Sequence, residues 1–380
     1  MTQRRIAIHL TSTGGFYGAE RALIELASYL RDHGWENRVV ALEGAGATEI
    51  VKRATAERVA AEAFVPSGRL GFVPLVKRLR SLLKRYPHAI VHSHGYKPDI
   101  LLSLLRVPTR LICLATCHGW YSVSPKERML EALDKRAVRG FDHVIAVSDR
   151  IAHELTHNGV AAERVSLIAN GIRAPRLSED ARARIRAEMG ASASDRVIVQ
   201  VGRLGHPKRN DLLLEAVAAL APPHSPQIWL VGEGDRKQQL VNLAREHGLL
   251  DRVRFCGYRT DVPDILAAAD VLAVTSDTEG LPITILEAMA TNCPVISTAV
   301  GAIPHVLKDG RDAWLIPPGD RAALERALEE ALSQPDLAHS RADSAYEKYC
   351  REYSRDSMGS RYLEIYEAAW AQRGWRTDSG

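Results

Sequence analysis

Short apolar runs rich in β-branched residues alternate along the chain with segments whose apolar positions recur at helical spacing. The apolar runs are 6–10, 38–42, 89–94, 110–116, 143–148, 164–170, 196–202, 227–234, 252–257, 270–276, 293–298 and 313–318. Segments with helical spacing, such as 20–32 and 126–138, separate them. This alternation is typical of βαβ units and predicts parallel sheets covered by helices.

The alternation breaks once, in the polar segment 173–195, which is rich in arginine and alanine. This segment predicts a linker that carries a short helix. The chain has 380 residues, more than one hydrophobic core usually supports. We therefore expect two doubly wound α/β domains, over 1–175 and 190–350, with a C-terminal helix at about 355–372 that packs back on the first. Ligands bind such sheets beyond the carboxyl ends of the strands, so facing domains would form a cleft there.

Composition and charge restrict the class of protein. Hydrophobic residues make up 46% of the chain and charged residues 25%, as in ordinary globular proteins. The formal net charge of +4 is small for this length and indicates no nucleic-acid partner. The five cysteines form no disulfide framework, and no secretory signal or apolar run of about 20 residues is evident. We expect a cytoplasmic protein whose contact with a membrane, if any, is peripheral.

Polar residues and glycines follow two strands of the first half. The loop TSTGGFYGAER contains Gly14, Gly15 and Gly18 before a helix whose free N–H groups could hold an anion. Its spacing is not G-x-G-x-x-G, which disfavours a nicotinamide or flavin dehydrogenase. His118 follows the fourth run directly before Gly119, where a structural hydrogen bond and a functional contact are equal alternatives.

Charged residues follow two strands of the second half. Arg203 and Lys208 lie at a strand-to-helix turn, where two cations and a helix N-terminus could face a diphosphate. The stretch TSDTEGLPITILEAMA places Glu279 and Glu287 eight positions apart. Taken alone, it would suit an ordinary strand-to-helix junction with Pro282 at the first helical position.

Short motifs in these strand-end segments occur in a characteristic order. They are TGG at 13–15, HG at 118–119, VS at 147–148, NGI at 170–172, VGRL with Lys208, VGEG at 231–234, GYR at 257–259 and EGLPITILE at 279–287. The ordered set resembles the retaining glycosyltransferases of glycosyltransferase family 4. The resemblance covers essentially the whole chain and implies the GT-B fold, in which two Rossmann-like domains face each other across a cleft. It also implies a hexosyltransferase-type enzyme (EC 2.4) that uses a UDP- or GDP-sugar.

The resemblance implies roles for the residues of the second half. Glu279 would face the donor sugar, and Glu287 would accept hydrogen bonds from both ribose hydroxyls. The turn that meets the sugar hydroxyls and the diphosphate would consist of Gly280, Leu281, Pro282 and Ile283. Arg203 and Lys208 would stabilise the charge that grows on the leaving β-phosphate.

The resemblance also implies the course of the reaction. His118 would contact a sugar hydroxyl or the reacting centre, and Gly15 would offer its amide to the diphosphate. No other carboxylate is evident as a nucleophile, so same-face attack assisted by the leaving phosphate would retain the anomeric configuration. The nucleotide-sugar would be a co-substrate, and we expect neither a cofactor nor a metal.

Some residues depart from the family pattern or extend it. An acid is frequent where this chain has His305 and Arg173, which puts the donor preference in question. Phe16 and Tyr17 lie near the expected acceptor entrance, although aromatic residues that cap a core are an equal alternative. His94, in VHSHGYKPD, is a further acceptor-side candidate.

A zinc site is an alternative for residues on neighbouring predicted strands. The possible ligands are His92, His94, Cys113, Cys117 and His118. The two cysteines, however, are spaced as residues on one face of an apolar strand, and paired C-x2-C ligands are absent. We therefore predict no metal site.

The segment 68–88 carries six lysines or arginines and no acid. As a helix from about Val73, its predicted apolar stripe is Val73, Val76, Leu79, Leu82 and Leu83, and its predicted basic face is Lys77, Arg78, Arg80, Lys84 and Arg85. One interpretation is a sheet-covering helix with a solvated basic face. The other is docking on anionic lipid, which favours an undecaprenyl-type lipid-linked saccharide acceptor in cell-surface polysaccharide or glycoconjugate synthesis.

Two other functions stay open from the sequence. The first is a transferase that acts on a soluble small-molecule acceptor. The second is a catalytically silent GT-B subunit that binds a nucleotide or a glycan. Such a subunit is expected to lose charged donor-site groups, whereas this chain keeps Arg203, Lys208, Glu279 and Glu287.

Overall fold

The structure is a computed structural model that describes residues 4–12, 18–42, 47–64, 72–106, 111–120, 124–221 and 224–374. The chain divides into two compact units. The first unit contains the residues up to Arg173 and those from Glu352 onward, and the second unit contains Ala174–Arg351. Within the described ranges, no helix combines the length and the apolar character needed to cross a membrane.

The first unit is built on a parallel sheet of seven strands. They are β1 (Ile6–Thr11), β2 (Glu36–Ala41), β3 (Ala60–Ala63), β4 (Ile90–His94), β5 (Ile112–Cys117), β6 (His143–Ala146) and β7 (Val165–Leu167). Their order is β3-β2-β1-β4-β5-β6-β7. The order reverses between β1 and β4, which is where such sheets bind ligands.

Helices cover both faces of this sheet. They are α1 (Gly18–Asp32), α2 (Ala47–Ala56), α3 (Phe72–Arg85), α4 (Tyr96–Arg106), α5 (Pro125–Val138) and α6 (Asp149–His157). Apolar residues of α3, α4, α5 and α6 pack with Leu10, Val91 and Cys113 on one face. Residues of α1 and α2 pack on the other face, for example against Val39.

The second unit repeats the doubly wound design. Its strands are β8 (Val197–Val201), β9 (Gln227–Val231), β10 (Val253–Gly257), β11 (Val271–Val274), β12 (Val295–Thr298) and β13 (Trp314–Ile316), in the order β10-β9-β8-β11-β12-β13. Its helices are α7 (Ala181–Met189), α8 (Asn210–Ala219), α9 (Lys237–Glu246), α10 (Val262–Ala268), α11 (Ile283–Ala290), α12 (Ile303–Val306), α13 (Arg321–Ser333) and α14 (Pro335–Lys348).

The last helix, α15 (Arg355–Gln372), belongs to the first unit. Its buried side chains Met358, Tyr362, Tyr366 and Trp370 pack with residues of α1, β1, β4 and β5. Before this helix, the amide of Ile172 donates to the carbonyl oxygen of Tyr353 at 3.0 Å, and the amide of Arg355 donates to that of Ile172 at 2.8 Å. The chain therefore leaves the first unit and returns to it at the same place.

The predicted α/β class with parallel sheets is confirmed, and each predicted apolar run overlaps a strand. The run-based prediction missed β3, whose sequence AAEA has no β-branched residue and which lies at the edge of the sheet. The predicted stripe of α3 is wrong at Val73, which is 50% exposed. Leu75 is buried in the core instead, four positions and thus about one helical turn before Leu79.

Candidate functional site

Lys208 and Glu279 meet beyond the carboxyl ends of β8 and β11. The Lys208 Nζ atom donates to Glu279 Oε1 at 2.5 Å, and the Ser276 hydroxyl donates to the same oxygen at 2.6 Å. The two charged side chains are only 22% and 12% exposed. Gly202 makes room for the lysine, since a Cβ there would lie 3.0 Å from Lys208 Cε. The structure thus joins two residues that the sequence assigned to the site separately.

A buried network of neutral polar groups supports the backbone at Lys208. The Gln200 side-chain amide donates to the Lys208 carbonyl oxygen at 3.0 Å and to the Thr275 hydroxyl at 2.9 Å. The Thr275 hydroxyl in turn lies 2.9 Å from the Lys208 carbonyl oxygen. Asn210 donates to Gln200 Oε1 at 3.0 Å and accepts from the Gly205 amide at 3.0 Å. These bonds fix the strand-to-helix loop without placing a second charge beneath it.

Arg203 presents its charge at the surface of the same loop. Its side chain is exposed, and Nη2 donates to the His206 carbonyl oxygen at 2.7 Å. In the part of the chain that the structure describes, no carboxylate pairs with it. The guanidinium is therefore held by a neutral group and keeps its positive charge uncompensated.

The turn after Glu279 is packed backbone against backbone. At Gly301, which has φ +58°, a Cβ would lie 1.9 Å from the Glu279 carbonyl oxygen. The Ala302 amide donates to the Gly280 carbonyl oxygen at 3.0 Å. A Cβ on Gly280 itself would meet nothing within 4 Å. Gly301 therefore fixes the turn from one side, while Gly280 borders open space.

Gly232 and Gly234, in the VGEG motif, pack against the loop of Arg203. A Cβ at either position would lie 2.0 Å from a backbone carbonyl oxygen, that of Gly202 or Leu204. Close backbone packing therefore explains why glycine occupies these two positions.

The sequence-based prediction gave no role to Gly301. Its contact with the turn after Glu279 joins two loops that are distant in the sequence, and no local pattern indicates such a contact.

Glu287 lies on α11 and is 8% exposed. Its place on the helix after the turn agrees with the prediction, but it is a buried helical residue and does not lie at a strand end. Pro282 directly precedes the first helical residue, Ile283, and is not itself the first position as predicted. Leu281 and Ile283 are half-buried beside it.

In the first unit, His94 ends β4 and His118 directly follows β5. Their rings stack at a centroid distance of 6.4 Å. The half-buried His118 ring has a shielded Nε2 atom with no hydrogen-bond partner among the described residues. Burial lowers the pKa of His118 to about 4, so the imidazole is neutral at pH 7.

A relay of hydrogen bonds orients His94. The Asn37 side-chain amide donates to the Trp35 carbonyl oxygen, which leaves Asn37 Oδ1 to accept from His9 Nε2 at 3.0 Å. His9 Nδ1 then accepts from His94 Nε2 at 3.3 Å. Burial lowers the pKa of His94 well below its ordinary value. Its Nδ1 atom is therefore an unprotonated acceptor.

His92 completes a cluster of three buried histidines with His9 and His94, whose ligand atoms lie within 4.8 Å of one another. Both ring nitrogens of His92 are already hydrogen-bonded at 2.8 Å, to the hydroxyls of Tyr366 and Thr116. This face of the sheet is covered by α15. The sequence did not predict that His9 joins the cluster, because only the pairing of β1 with β4 brings it there.

The cysteines considered as zinc ligands lie on the other face. Cys113 and Cys117 belong to the core that α3, α4, α5 and α6 cover. The sheet therefore separates them from His92, which faces α15. A mixed site of these cysteines and His92 is excluded by this geometry.

The remaining sequence candidates lie in several places. Arg173 donates to Glu57 at 2.9 Å and to Glu25 at 3.3 Å, so it anchors the end of the first unit on α1 and its neighbour α2. His305 is exposed on α12. Gly15, Phe16 and Tyr17 lie outside the described residues.

Comparisons with known proteins agree with this architecture. The family described as Glycosyltransferase Family 4 matches residues 16–176, and Glycosyl transferases group 1 matches residues 181–348. The D-inositol 3-phosphate glycosyltransferase of Salinispora arenicola is 31% identical over 75% of this chain and 70% of its own length. The lipopolysaccharide core biosynthesis glycosyltransferase LpsE of Rhizobium meliloti is 26% identical over 92% of this chain and 95% of its own.

Solved structures show the fold. Anabaena Alr3699/HepE in complex with UDP superposes with a TM-score of 0.82 at 23% identity, covering 96% of this chain and 100% of that one. The lipopolysaccharide outer core galactosyltransferase WaaB superposes with a TM-score of 0.71 at 18% identity, covering 96% and 99%. The chain therefore belongs to glycosyltransferase family 4 and is a glycosyltransferase of the GT-B fold, with two Rossmann-like domains.

Proposed function

We propose that this glycosyltransferase moves a hexose from a UDP- or GDP-sugar to a hydroxyl of a saccharide acceptor, with retention of configuration and without a metal. The observation that carries the proposal is the ion pair of Lys208 and Glu279 beside the open space at Gly280. A sugar diphosphate bound there meets two cations, Lys208 and Arg203, and the N-terminal amides of α11.

The charges of this site suit departure of a nucleoside diphosphate. As the glycosidic bond breaks, negative charge grows on the β-phosphate, and fixed cations stabilise that charge more than the ground state. Glu279 holds Lys208 in place before the donor arrives. Glu287 takes the ribose hydroxyls, and Gly280 lets the donor approach the backbone.

The acceptor hydroxyl attacks from the face that the nucleotide leaves. The departing phosphate oxygen accepts the hydroxyl proton, so no separate carboxylate base is needed. His118 is neutral and meets a hydroxyl of the donor sugar, and the acceptor-side His94 offers its unprotonated Nδ1 atom as a hydrogen-bond acceptor.

A screen of UDP- and GDP-sugars tests the donor. Slow hydrolysis of one of them by the wild-type enzyme, lost in Lys208→Ala, supports the proposal. Nucleotide binding without turnover of any donor in the presence of mixed lipid-linked and soluble saccharides would favour the silent-subunit alternative. UDP and UDP-glucose are natural first probes, since they occupy the solved structures of HepE.

The acceptor is proposed from the basic face of α3. Lys77, Arg78, Arg80, Lys84 and Arg85 are all exposed. Among the described residues only Arg78 has an ionic partner, Glu62 at 3.7 Å. Each cation contributes on the order of 1 kcal/mol near an anionic lipid surface. The proposed acceptor is accordingly an undecaprenyl-type lipid-linked saccharide, and the enzyme works peripherally on the inner face of the cytoplasmic membrane.

Vesicle flotation tests this docking. Wild-type protein is expected to float with anionic but not neutral vesicles, and exchange of the five cations of α3 for glutamine is expected to release it. The control exchanges five exposed cations of the second unit, Arg236, Lys237, Arg245, Arg321 and Arg326. If wild-type protein ignores anionic vesicles at low salt, α3 only covers the sheet and the acceptor is soluble.

A further inference from the structure

Two buried carboxyl groups lie behind the turn that carries His118. Asp99, in the first turn of α4, is 1% exposed, and Asp134, on α5, is 3% exposed. Both oxygens of Asp99 and Oδ1 of Asp134 have no hydrogen-bond partner among the described residues. The fourth oxygen, Asp134 Oδ2, accepts the indole N–H of Trp120 at 2.7 Å. The bond of Asp134 Oδ2 therefore reaches the loop after β5.

Trp120 is two positions beyond His118 and fixes the far end of its turn. Its ring packs on the core of the α3–α6 face, and the Lys135 ammonium lies 4.9 Å from the ring centroid. Gly119, between the two, has φ +113°, a conformation that favours glycine. On the near side, the buried Cys117 is the last residue of β5. His118 is thus placed by the sheet on one side and by the indole on the other.

The charge states of the pair favour this bond. Burial raises the pKa of Asp99 well above its ordinary value, and the nearby Asp134 raises it further. Burial also raises the pKa of Asp134, while the Trp120 N–H opposes that rise. Because two adjacent buried carboxylates repel each other, a second negative charge in the pair is disfavoured, and the Trp120 N–H favours the charged form of Asp134. A charged acceptor makes the stronger hydrogen bond with the indole.

We propose that Asp134 is a positioning residue for the transfer reaction, which holds Trp120 and thereby sets the orientation of His118. It touches no substrate and acts only through the turn 118–120. The proposal rests on the role of His118 proposed above, but the orientation of the ring is measurable without any donor.

Nuclear magnetic resonance of the indole and imidazole groups tests the positioning. The chain has six tryptophans, so Trp120→Phe identifies the Trp120 indole signal, and His118→Gln identifies the His118 ring signal. We expect Asp134→Leu to shift both signals. Asp134→Asn, whose amide oxygen still accepts the N–H, is expected to leave them near their wild-type positions. The control is Arg128→Gln, an exposed change on the same helix.

Turnover gives the second measurement, with UDP-glucose as the donor and GDP-mannose if UDP-glucose is not turned over. Asp134→Leu and Trp120→Phe are expected to lower kcat, by up to about 100-fold for a misplacement near 1 Å, with the donor KM unchanged. Asp134→Asn is expected to stay close to wild type. Affinity for UDP, whose proposed contacts lie in the second unit, is expected to be the same in all variants.

The outcomes separate the two proposals. If the His118 signal is unchanged in Asp134→Leu and in Trp120→Phe, the positioning role is overturned, whatever the activity. If the signal moves but His118→Gln turns over donor like wild type, the positioning stands and the proposed role of His118 fails. Trp120→Phe removes the indole N–H and part of the ring but keeps an aromatic group against the core, so it keeps the test decisive should Asp134→Leu not fold.

Discussion

The two units share one topology and differ in the polar groups that they bury. In the first unit the central strands β1 and β4 carry His9, His92 and His94, which are at most 7% exposed. In the second unit the central strands and their ends carry Gln200 and Thr275, whose hydrogen-bonding groups do not titrate. The charges of the candidate site, Lys208 and Glu279, lie beyond the ends of these strands. The same fold thus places titratable histidines on the central strands of one unit and a neutral polar network beneath a charged pair in the other.

The largest expected effect is in the second unit, where fixed charges are proposed to serve the reaction. Lys208→Ala is expected to lower transfer by about 100- to 1000-fold, as for the loss of one group that stabilises developing charge. Glu287→Ala is also expected to remove most transfer, because the ribose of the donor loses its two proposed hydrogen bonds. The folded state should persist, because the network beneath Lys208 uses its backbone carbonyl and not its side chain. Steady-state kinetics and thermal unfolding measure the two effects.

The matched control for the lysine is Lys237→Ala, an exposed change on α9 of the same unit. It is expected to keep wild-type turnover. Near-normal turnover in both Lys208→Ala and Glu287→Ala would show that the charges of this unit do not serve catalysis, and the contrast between the units would lose its functional meaning.

Two glycine-to-alanine variants test whether the turn after Glu279 contributes to nucleotide binding. Gly301→Ala would place a Cβ 1.9 Å from the Glu279 carbonyl oxygen, whereas Gly310→Ala, also at positive φ, meets nothing within 4 Å. A forced backbone shift costs about 1–3 kcal/mol, which corresponds to roughly 5- to 150-fold in UDP affinity. Calorimetric titration with UDP compares the affinities of the two variants. Both carry the strain of an alanine at positive φ, so a difference between them reports the contact of the new Cβ at position 301 with the backbone. Equal affinities would mean that the turn does not contact the nucleotide.

The pH dependence of stability tests the titratable interior of the first unit. Burial lowers the pKa of His9 to about 4, from 6.5 in the unfolded chain. The unfolded state therefore binds the proton first, and the stabilisation is complete above pH 6.5 and is lost as the pH falls towards 4. The expected loss is about 1 kcal/mol per pH unit for each such histidine.

Hydrogen exchange read separately for the two units measures that loss. Protection of β1 and β4 should fall between pH 6.5 and 5, and that of β8 and β11 should fall less. His9→Gln is expected to flatten the pH dependence in the first unit, and His305→Gln, an exposed change, to leave it as in wild type. An equal pH dependence in both units would show that the buried histidines do not make the first unit more sensitive to pH than the second.

The smallest expected effect is that of chelation. In the proposed site, Lys208, Arg203 and the amides at the start of α11 would supply positive potential to a diphosphate. EDTA is therefore expected to change the transfer rate by less than about twofold, which is much less than 1.4 kcal/mol in activation free energy. A strict need for an added divalent cation would show that these side chains do not suffice.

The sequence predicted where the strands end, because buried strands are apolar. The charged residues that follow them interrupt the apolar pattern and could therefore be assigned to the site. Lys208 and Glu279 were both predicted, but their direct contact depends on the pairing of β8 with β11. His9 was not predicted in the histidine cluster for the same reason. Gly301 and Asp134 act through loops and helices far away in the chain, and no local periodicity signals such contacts. Val73 was misplaced because the start of a helix leaves part of its apolar face uncovered.

The return of the chain through Ile172 and Tyr353 has a consequence for biosynthesis. The side chains of Tyr362, Tyr366 and Trp370, which close one face of the first sheet, leave the ribosome after the whole second unit. A nascent chain therefore holds a complete second unit while β1, β4 and β5 are still uncovered on that face. Synthesis of the first unit begins before that of the second unit and ends after it. A ribosome that stops anywhere before α15 therefore releases a protein whose first sheet is not covered by α15.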